Sequence, residues 1–437
     1  MIQDLTFSQE TRKNSFVDPQ INIEYHSICR KLEAIYMKKL FYAVTGAVFL
    51  GLAAPVIGTT GEAWAEEVIG PDAFVPEGLR NGEQRRDAVK EIGPGIREEE
   101  NVSSAVGNAV IPSNDFLDAA IPNPVVKPAA MYSYDQMVTD INALKERYGD
   151  KMQVNVIGKS QDGRDIYEVI VGNVNAPKHI LMQGAIHARE YMTPLLMMKQ
   201  METALNFYET GHYDNAALSD LFNQVAIHFI PMSNPDGVTL AQSGLNGIRS
   251  DFLKQTILTA YATDKELGRT TLDMDKYLTI WKSNAAGVDL NHNFPADWEG
   301  VTSTAVSASY SGYKGTAPLS EPESQALAAM ADKYPWAATI SYHSMGNIIY
   351  WDTNTSKVKD ASKALADSLG TVTGYKLDGS DGKGGYKDWM QSKDNPVAGV
   401  TIEVGSVACP LPLSEFDKVW QQNKAVWVQA MKFVASR

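Results

Sequence analysis

Short apolar runs alternate with longer amphipathic stretches from Tyr132 to the C-terminus of the chain. The apolar runs are rich in β-branched side chains and predict strands at residues 154–157, 166–171, 180–184, 225–231, 337–342 and 400–404. The amphipathic stretches predict helices at residues 134–148, 192–208, 319–334 and 413–434. Strands that alternate with helices favour an α/β fold with helices on both faces of a sheet. Ligands on such sheets bind near the carboxyl ends of the strands.

The first 65 residues have a different pattern, which is typical of a secretory signal. Met37 and two lysines form a short positive start, an apolar run covers residues 40–57, and residues 63–65 have the small-x-small pattern of a cleavage site. We therefore predict a signal peptide at residues 37–65, preceded by an over-extended N-terminus at residues 1–36. The predicted location is secreted or cell-wall associated, and the alternative is a single membrane anchor.

Residues 66–130 have few aromatic side chains and no helical or strand periodicity. They include a run of three glutamates at residues 98–100. This composition is typical of a linker or a pro-segment. A catalytic domain is then expected at residues 131–437.

Composition narrows the possible functions. The chain has 437 residues, of which 44% are hydrophobic and 21% charged, as in ordinary globular proteins. The net charge of −13 argues against a nucleic-acid partner, because such binding needs a basic surface. The two cysteines exclude a disulfide framework and a cysteine-rich zinc site.

Three segments that follow predicted strands carry candidate chemistry. His187 and Glu190 are three residues apart after one strand, and His343 follows another. Two histidines and one carboxylate leave a fourth position for water, as in catalytic zinc sites. Glu403 lies in an apolar strand, and beside an activated water it would act as general base. Each segment alone is weak support.

Six ordered motifs together resemble the zinc carboxypeptidase family, peptidase family M14, over about 300 residues. They are IHARE from Ile186, NPDG from Asn234, GVDLNHNF from Gly287, YKGTAPLSEPE from Tyr313, SYHS from Ser341 and IEVG from Ile402. The resemblance implies a single catalytic domain with a mixed, mostly parallel twisted sheet flanked by helices. It also implies one Zn²⁺ per chain, held by His187, Glu190 and His343.

The same resemblance implies roles for further residues. Glu403 would be the general base, and Arg189 would contact the substrate backbone or the oxyanion. Lys282 would take the place of an oxyanion-stabilising arginine. Asp289 would accept a hydrogen bond from His187, and Asn291 would contact a substrate carboxylate.

The sequence departs from the family pattern in the substrate pocket. His292 stands where family exopeptidases have the arginine that clamps the terminal carboxylate, and Ser380 replaces the mobile tyrosine. Tyr386 is a candidate substitute for that tyrosine. Lys387 falls at the specificity position, where a cation would favour an acidic group on the substrate.

The stretch WKSNAAGVDLNHNFPADWE, from Trp281 to Glu299, is similar to the bacterial γ-D-glutamyl-diamino acid endopeptidases. The predicted function is therefore hydrolysis of γ-D-glutamyl-diamino acid bonds in peptidoglycan stem peptides by an exported zinc metallopeptidase. The alternatives are a broad-specificity secreted metallocarboxypeptidase and a catalytically inactive binding relative. We expect a monomer whose partner is a peptide or muropeptide substrate and which contacts the membrane only through an uncleaved signal segment.

Overall fold

A computed structural model describes residues 114–302, 304–380 and 382–437. The predicted signal peptide and residues 1–36 lie outside the described residues, as does most of the predicted linker. Among the described residues, no helix combines the length and the apolar character needed to cross a membrane.

One large sheet organises the described part of the chain, and its eight strands run in the order β1-β2-β6-β3-β7-β10-β8-β9. The strands are β1 Met152–Lys159, β2 Asp165–Val171, β3 Lys178–Gln183, β6 Val225–Ile230, β7 Trp336–His343, β8 Ile348–Tyr350, β9 Lys376–Asp378 and β10 Gly399–Glu403. A separate hairpin pairs β4 His212–Tyr213 with β5 Ala216–Ala217. The central strands β6, β3, β7 and β10 are parallel to one another. Strands β1 and β2 pair in antiparallel fashion, as do β2 and β6, and β8 pairs antiparallel with β10 and parallel with β9. This is the mixed, mostly parallel sheet that the family resemblance implied.

Helices cover both faces of the sheet. They are α1 Tyr134–Tyr148, α2 Met192–Asn206, α3 Leu218–Gln224, α4 Pro235–Ser243, α5 Asp251–Glu266, α6 Met274–Thr279, α7 Pro322–Ala329, α8 Lys359–Thr373, α9 Tyr386–Ser392, α10 Phe416–Asn423 and α11 Val426–Ala435. Strand β3 shows why both faces are apolar, because Ile180 and Met182 belong to one core cluster and Leu181 to another. Successive strand residues point to opposite faces, so a central strand needs apolar side chains at every position.

Two predicted helices differ from the observed ones. The helix expected at residues 319–334 begins only at Pro322, because Leu319 has a positive φ of 58° and proline favours the first helical position. The closing helix expected at residues 413–434 is divided into α10 and α11. Helix α10 ends at Asn423, whose carbonyl accepts a hydrogen bond from the Gln200 side chain at 2.8 Å, and α11 begins at Val426.

The segment before α1 packs against the same core. Phe116 and Val126 are buried, and the backbone N–H groups of Val125 and Val126 donate to the buried Glu202 carboxylate at 2.6 and 3.0 Å. Residues 114–130 therefore belong to the folded unit, although the sequence pattern places them with the linker.

Candidate active site

Three neighbouring parallel strands end at the same edge of the sheet, and each delivers a candidate side chain there. His343 is the last residue of β7, and Glu403 is the last residue of β10. These two residues face each other in the strand register. His187 follows β3, which pairs with the other side of β7. Parallel pairing thus gathers residues that are more than 200 positions apart in the sequence.

The three predicted metal ligands lie within hydrogen-bond distance of one another and are buried. Nδ1 of His187 is 2.9 Å from Oε1 of Glu190, and Nδ1 of His343 is 3.2 Å from Oε2. The two Nδ1 atoms are 3.1 Å apart. Burial alone would raise the pKa of Glu190, but the two imidazoles outweigh it and hold that pKa below its usual range.

The turn that carries His187 is fixed by hydrogen bonds to its backbone. Ala185 has a positive φ of 48°, and its N–H donates to the Thr193 hydroxyl at 2.9 Å. The side-chain amide of Asn234 donates to the carbonyls of Ile186 and Ser283, at 3.2 and 3.0 Å. Asn234 is wholly buried, so it ties the turn that bears His187 to the segment that bears Lys282.

Asp289 contacts the opposite side of the His187 ring. Its Oδ1 is 3.3 Å from Nε2 of His187, while its Oδ2 accepts a hydrogen bond from the Gly312 N–H at 3.0 Å. Burial would raise the pKa of Asp289, but His292, His187 and Lys282 together hold it well below its ordinary value. An ionised Asp289 this close to Nε2 favours the ring proton on that nitrogen, so that Nδ1 of His187 keeps its electron pair for a metal.

Glu403 stands in a buried position beside this group, with opposing charges around it. Burial is the largest influence and raises the pKa of Glu403 to about 7, an effect that the charge of Glu190 reinforces. The charges of His343, Lys282 and Arg189 act in the opposite direction. A carboxyl group with a pKa near neutrality can both accept and return a proton, as general base catalysis requires.

A cavity of about 120 Å³ opens beside Glu403. Its wall consists of polar side chains and glycines, namely Asn291, Tyr350, Ser380, Gly382, Gly385, Lys387, Asp388, Thr401 and Glu403. Asn291 accepts a hydrogen bond from the N–H of Tyr386 through Oδ1. Two predicted substrate-binding residues, Asn291 and Lys387, are thus in the same cavity as Glu403.

The structure does not bring Tyr386 to the cavity. Its side chain is wholly buried in an apolar cluster, where its ring packs edge-on against Phe294 at 5.3 Å between centroids. Its ring is not part of the cavity wall. A tyrosine replacement cannot be recognised from spacing alone, because the first turn of α9 points this residue into the core.

Lys387 lines the cavity as expected, but it is paired with a neighbouring carboxylate. Its Nζ is 2.6 Å from Oδ1 of Asp388 and donates to the carbonyl of Asp352 at 2.6 Å. The Lys387–Asp388 pair therefore carries no net charge, and its net attraction for an acidic group is lost. Asp388 is not among the residues that the sequence motifs predict at the site, although it directly follows Lys387 in a glycine-rich segment.

His292 lies partly exposed at the site, with Nδ1 3.9 Å from Oδ2 of Asp289. Its ring is thus oriented toward the carboxylate that contacts His187. Arg189 and Lys282 are half-buried near Glu403. Tyr350 on strand β8 and Thr401 on strand β10 also line the cavity, and the sequence motifs do not predict either of them there.

Comparison with known proteins identifies the family. Residues 137–426 match a family model described as zinc carboxypeptidase. The chain belongs to the zinc carboxypeptidase family. It is 30% identical to γ-D-glutamyl-L-diamino acid endopeptidase 1 of Lysinibacillus sphaericus over 306 residues, or 69% of this chain and 72% of the relative. It is also 25% identical to carboxypeptidase O of Bos taurus, over 48% of this chain and 49% of the relative.

The fold of this zinc carboxypeptidase family member agrees with solved structures. Bovine thrombin-activatable fibrinolysis inhibitor, in complex with tick carboxypeptidase inhibitor, superposes with a TM-score of 0.54 at 20% identity, covering 71% of this chain and 99% of that one. Carboxypeptidase A from Helicoverpa armigera gives a TM-score of 0.51 at 19% identity, covering 70% and 74%. Membership of the family makes the protein a metallopeptidase, and thus a hydrolase.

The donor set fits the metal of this family. Around a tetrahedral zinc ion with bonds of about 2.0–2.1 Å, ligand atoms lie roughly 3.3 Å apart. The two Nδ1 atoms are 3.1 Å apart, Nδ1 of His187 is 2.9 Å from Oε1 of Glu190, and Nδ1 of His343 is 3.2 Å from Oε2 of the same carboxylate. Both imidazoles present the same Nδ1 atom, and two nitrogens and one carboxylate oxygen suit zinc.

Proposed function

We propose that the protein is an exported zinc peptidase that hydrolyses the amide bond between γ-D-glutamate and a diamino acid in peptidoglycan stem peptides. The proposed hydrolysis rests on one observation. His187, Glu190 and His343 lie together at one edge of the sheet, and Glu403 lies beside them. The similarity to a relative named as a γ-D-glutamyl-L-diamino acid endopeptidase supports the substrate class.

Zinc bound by His187, Glu190 and His343 would polarise the scissile carbonyl and lower the pKa of water. Glu403 takes a proton from the attacking water and then delivers it to the leaving nitrogen. Its pKa of about 7 suits both transfers near neutral pH. Lys282 and Arg189 place positive charge beside Glu403, where they stabilise the negative oxygen that develops on the substrate.

His292 supports an endopeptidase rather than an exopeptidase. A guanidinium binds a carboxylate through a planar, two-pronged contact, which an imidazole cannot reproduce. His292 lies 3.9 Å from the Asp289 carboxylate, and this neighbour further weakens its use as a clamp for a terminal carboxylate. A γ-glutamyl bond inside a stem peptide does not require such a clamp.

Mass spectrometry of the products from two substrates tests the proposal. The zinc-loaded protein is given a stem peptide that contains γ-D-glutamyl-diaminopimelate and, separately, a linear peptide with a free C-terminus. We expect cleavage of the stem peptide at the γ-bond and no stepwise shortening of the linear peptide. Stepwise loss of C-terminal residues from the linear peptide would instead establish a carboxypeptidase.

We also propose that the protein reaches the cell wall through the N-terminal signal, which lies outside the described residues. The substrate proposed here is found in the wall, so export and substrate agree. Fractionation of the native producer followed by N-terminal sequencing checks this step. A cytoplasmic protein that retains residues 37–65 would contradict it.

A further inference from the structure

The first turn of α9 places an ion pair in the cavity beside Glu403. Lys387 and Asp388 are each 5% exposed, and their charged groups are 2.6 Å apart. Both residues line the cavity. A buried ion pair is costly to desolvate and contributes little to stability. Its position in the cavity wall therefore indicates a role in binding.

The backbone of the cavity wall is shaped around the Asp388 carboxylate. A Cβ atom at Gly382 would be 2.4 Å from Oδ2 of Asp388, and one at Gly385 would be 2.5 Å from the same oxygen. A side chain at either position would require the Asp388 carboxylate to move. Oδ2 therefore lies along the glycine wall, while Oδ1 faces Lys387.

The ammonium group of Lys387 is oriented by two acceptors. It donates to Oδ1 of Asp388 and to the carbonyl of Asp352, each at 2.6 Å. An ammonium group has three donors, so one N–H remains beyond these two contacts. The cavity thus presents a positive and a negative group side by side, with Asn291, Ser380 and Tyr350 as further polar neighbours.

We propose that this cavity binds a side chain that ends in both an ammonium and a carboxylate group on one carbon. The inference rests on the proposed function, because it places the diamino acid of the substrate on the leaving-group side of Glu403. A zwitterionic end aligns its ammonium with Asp388 and its carboxylate with Lys387. A side chain with one charge would attract one member of the pair and repel the other. The small polar cavity excludes a large apolar side chain.

Four matched dipeptides measure the contributions of the ammonium and the carboxylate group to binding separately. All begin with γ-D-glutamate. Their second residues are meso-2,6-diaminopimelate, which has both groups, L-lysine, which has only the ammonium, L-2-aminopimelate, which has only the carboxylate, and L-norleucine, which has neither. Their dissociation constants are measured by calorimetry on the zinc-loaded full chain with Glu403→Gln, so that hydrolysis does not interfere.

We expect the diaminopimelate dipeptide to bind at least about tenfold more tightly than each of the other three, since each charge-assisted contact contributes roughly this factor. Adding Lys387→Met together with Asp388→Asn should reduce that preference to about threefold or less. The pair is removed as a whole, because the loss of one member alone would leave a buried unpaired charge. Thermal melting shows whether the variant is folded.

Lys393→Met is the matched control. Lys393 lies just after the C-terminal end of α9, forms an ion pair with Asp332 at 2.7 Å, and is not part of the cavity wall. The preference among the four dipeptides should be unchanged in this variant.

Equal affinity for the lysine and diaminopimelate dipeptides, or no binding of the latter, would overturn the inference. So would a preference that survives the double substitution. Failure of the proposed function is seen separately, as an absence of γ-bond hydrolysis by the wild-type protein when the diaminopimelate dipeptide binds with the expected preference.

Discussion

Asp289→Asn should weaken zinc binding without removing any predicted ligand. In the native site, Oδ1 of Asp289 faces Nε2 of His187 at 3.3 Å, and Oδ2 accepts the Gly312 N–H at 3.0 Å. Both oxygens therefore face donors. An asparagine has only one acceptor oxygen, so one of its two orientations places its NH₂ group against His187 and the other places it against the Gly312 N–H.

Each orientation of the asparagine amide is unfavourable. If the NH₂ group faces His187, Nε2 must become an acceptor and the ring proton moves to Nδ1, where it blocks the metal position. If it faces Gly312, two donors meet at a buried contact. Partners of this kind affect metal affinity by about 10–100-fold, or roughly 1.4–2.7 kcal/mol at 1.36 kcal/mol per decade.

Zinc competition against a chromophoric chelator measures this effect, with the wild-type protein titrated in parallel. Asp264→Asn is the control, because Asp264 is also wholly buried and accepts hydrogen bonds from Tyr277 and Ser309 at 2.7 and 2.6 Å, away from the metal position. That variant should lose stability and keep its zinc affinity. An Asp289→Asn protein that is folded and binds zinc within about twofold of wild type would refute the tautomer argument.

Three further predictions concern other buried groups. Glu403→Gln should lower kcat by about 10²–10⁴-fold with zinc affinity retained, which steady-state kinetics and metal analysis check, and near-full activity would disprove the general-base role. Burial, reinforced by Asp236, raises the pKa of Glu323 from its ordinary 4.5 to about 8. The folded protein thus keeps a proton that the unfolded chain releases, so this group's contribution makes stability fall as the pH rises between these values. Urea denaturation at several pH values should show that the free energy of unfolding depends less on pH in Glu323→Gln than in the wild-type protein. The same pH dependence in both proteins would contradict the raised pKa of Glu323. Asn234→Ala should cost about 1–3 kcal/mol in chemical denaturation, because it leaves the carbonyls of Ile186 and Ser283 without their donor, and a loss under about 0.5 kcal/mol would contradict that role.

The sequence predicted the strands that build the site because their signal is local. Strand β2 was expected at residues 166–171 and is observed at Asp165–Val171, and α1 was predicted with its observed ends. Ser133 caps α1 through a hydrogen bond from the Gln136 N–H, and Gly149 ends it with a positive φ. Such caps depend on adjacent residues, so they can be recognised without tertiary information.

The break between α10 and α11 was not predictable in this way. At this break the Asn423 carbonyl accepts a hydrogen bond from Gln200, which lies more than 200 residues earlier. The amphipathic pattern continues through this break, so periodicity alone predicts one helix. A contact between distant segments overrides the local preference.

The positions of the substrate-binding side chains are even harder to predict from local sequence. Family motifs located His187, His343 and Glu403 at the ends of strands that pair in parallel, and pairing then brings them together. The roles of Tyr386 and Lys387 depend instead on side-chain direction and on immediate neighbours. Two residues next to each other in a helix usually point apart, so a pairing of Lys387 with Asp388 is not expected from their positions.

Close backbone approach explains why that pair forms. Gly382 and Gly385 leave room for the Asp388 carboxylate in the cavity wall, and the Asp352 carbonyl holds the Lys387 ammonium beside it. The metal-binding group can be inferred from residue type and strand order, because its members must meet at one ion. The specificity that we propose for the cavity depends on how two opposite charges are held 2.6 Å apart, which only the folded backbone determines.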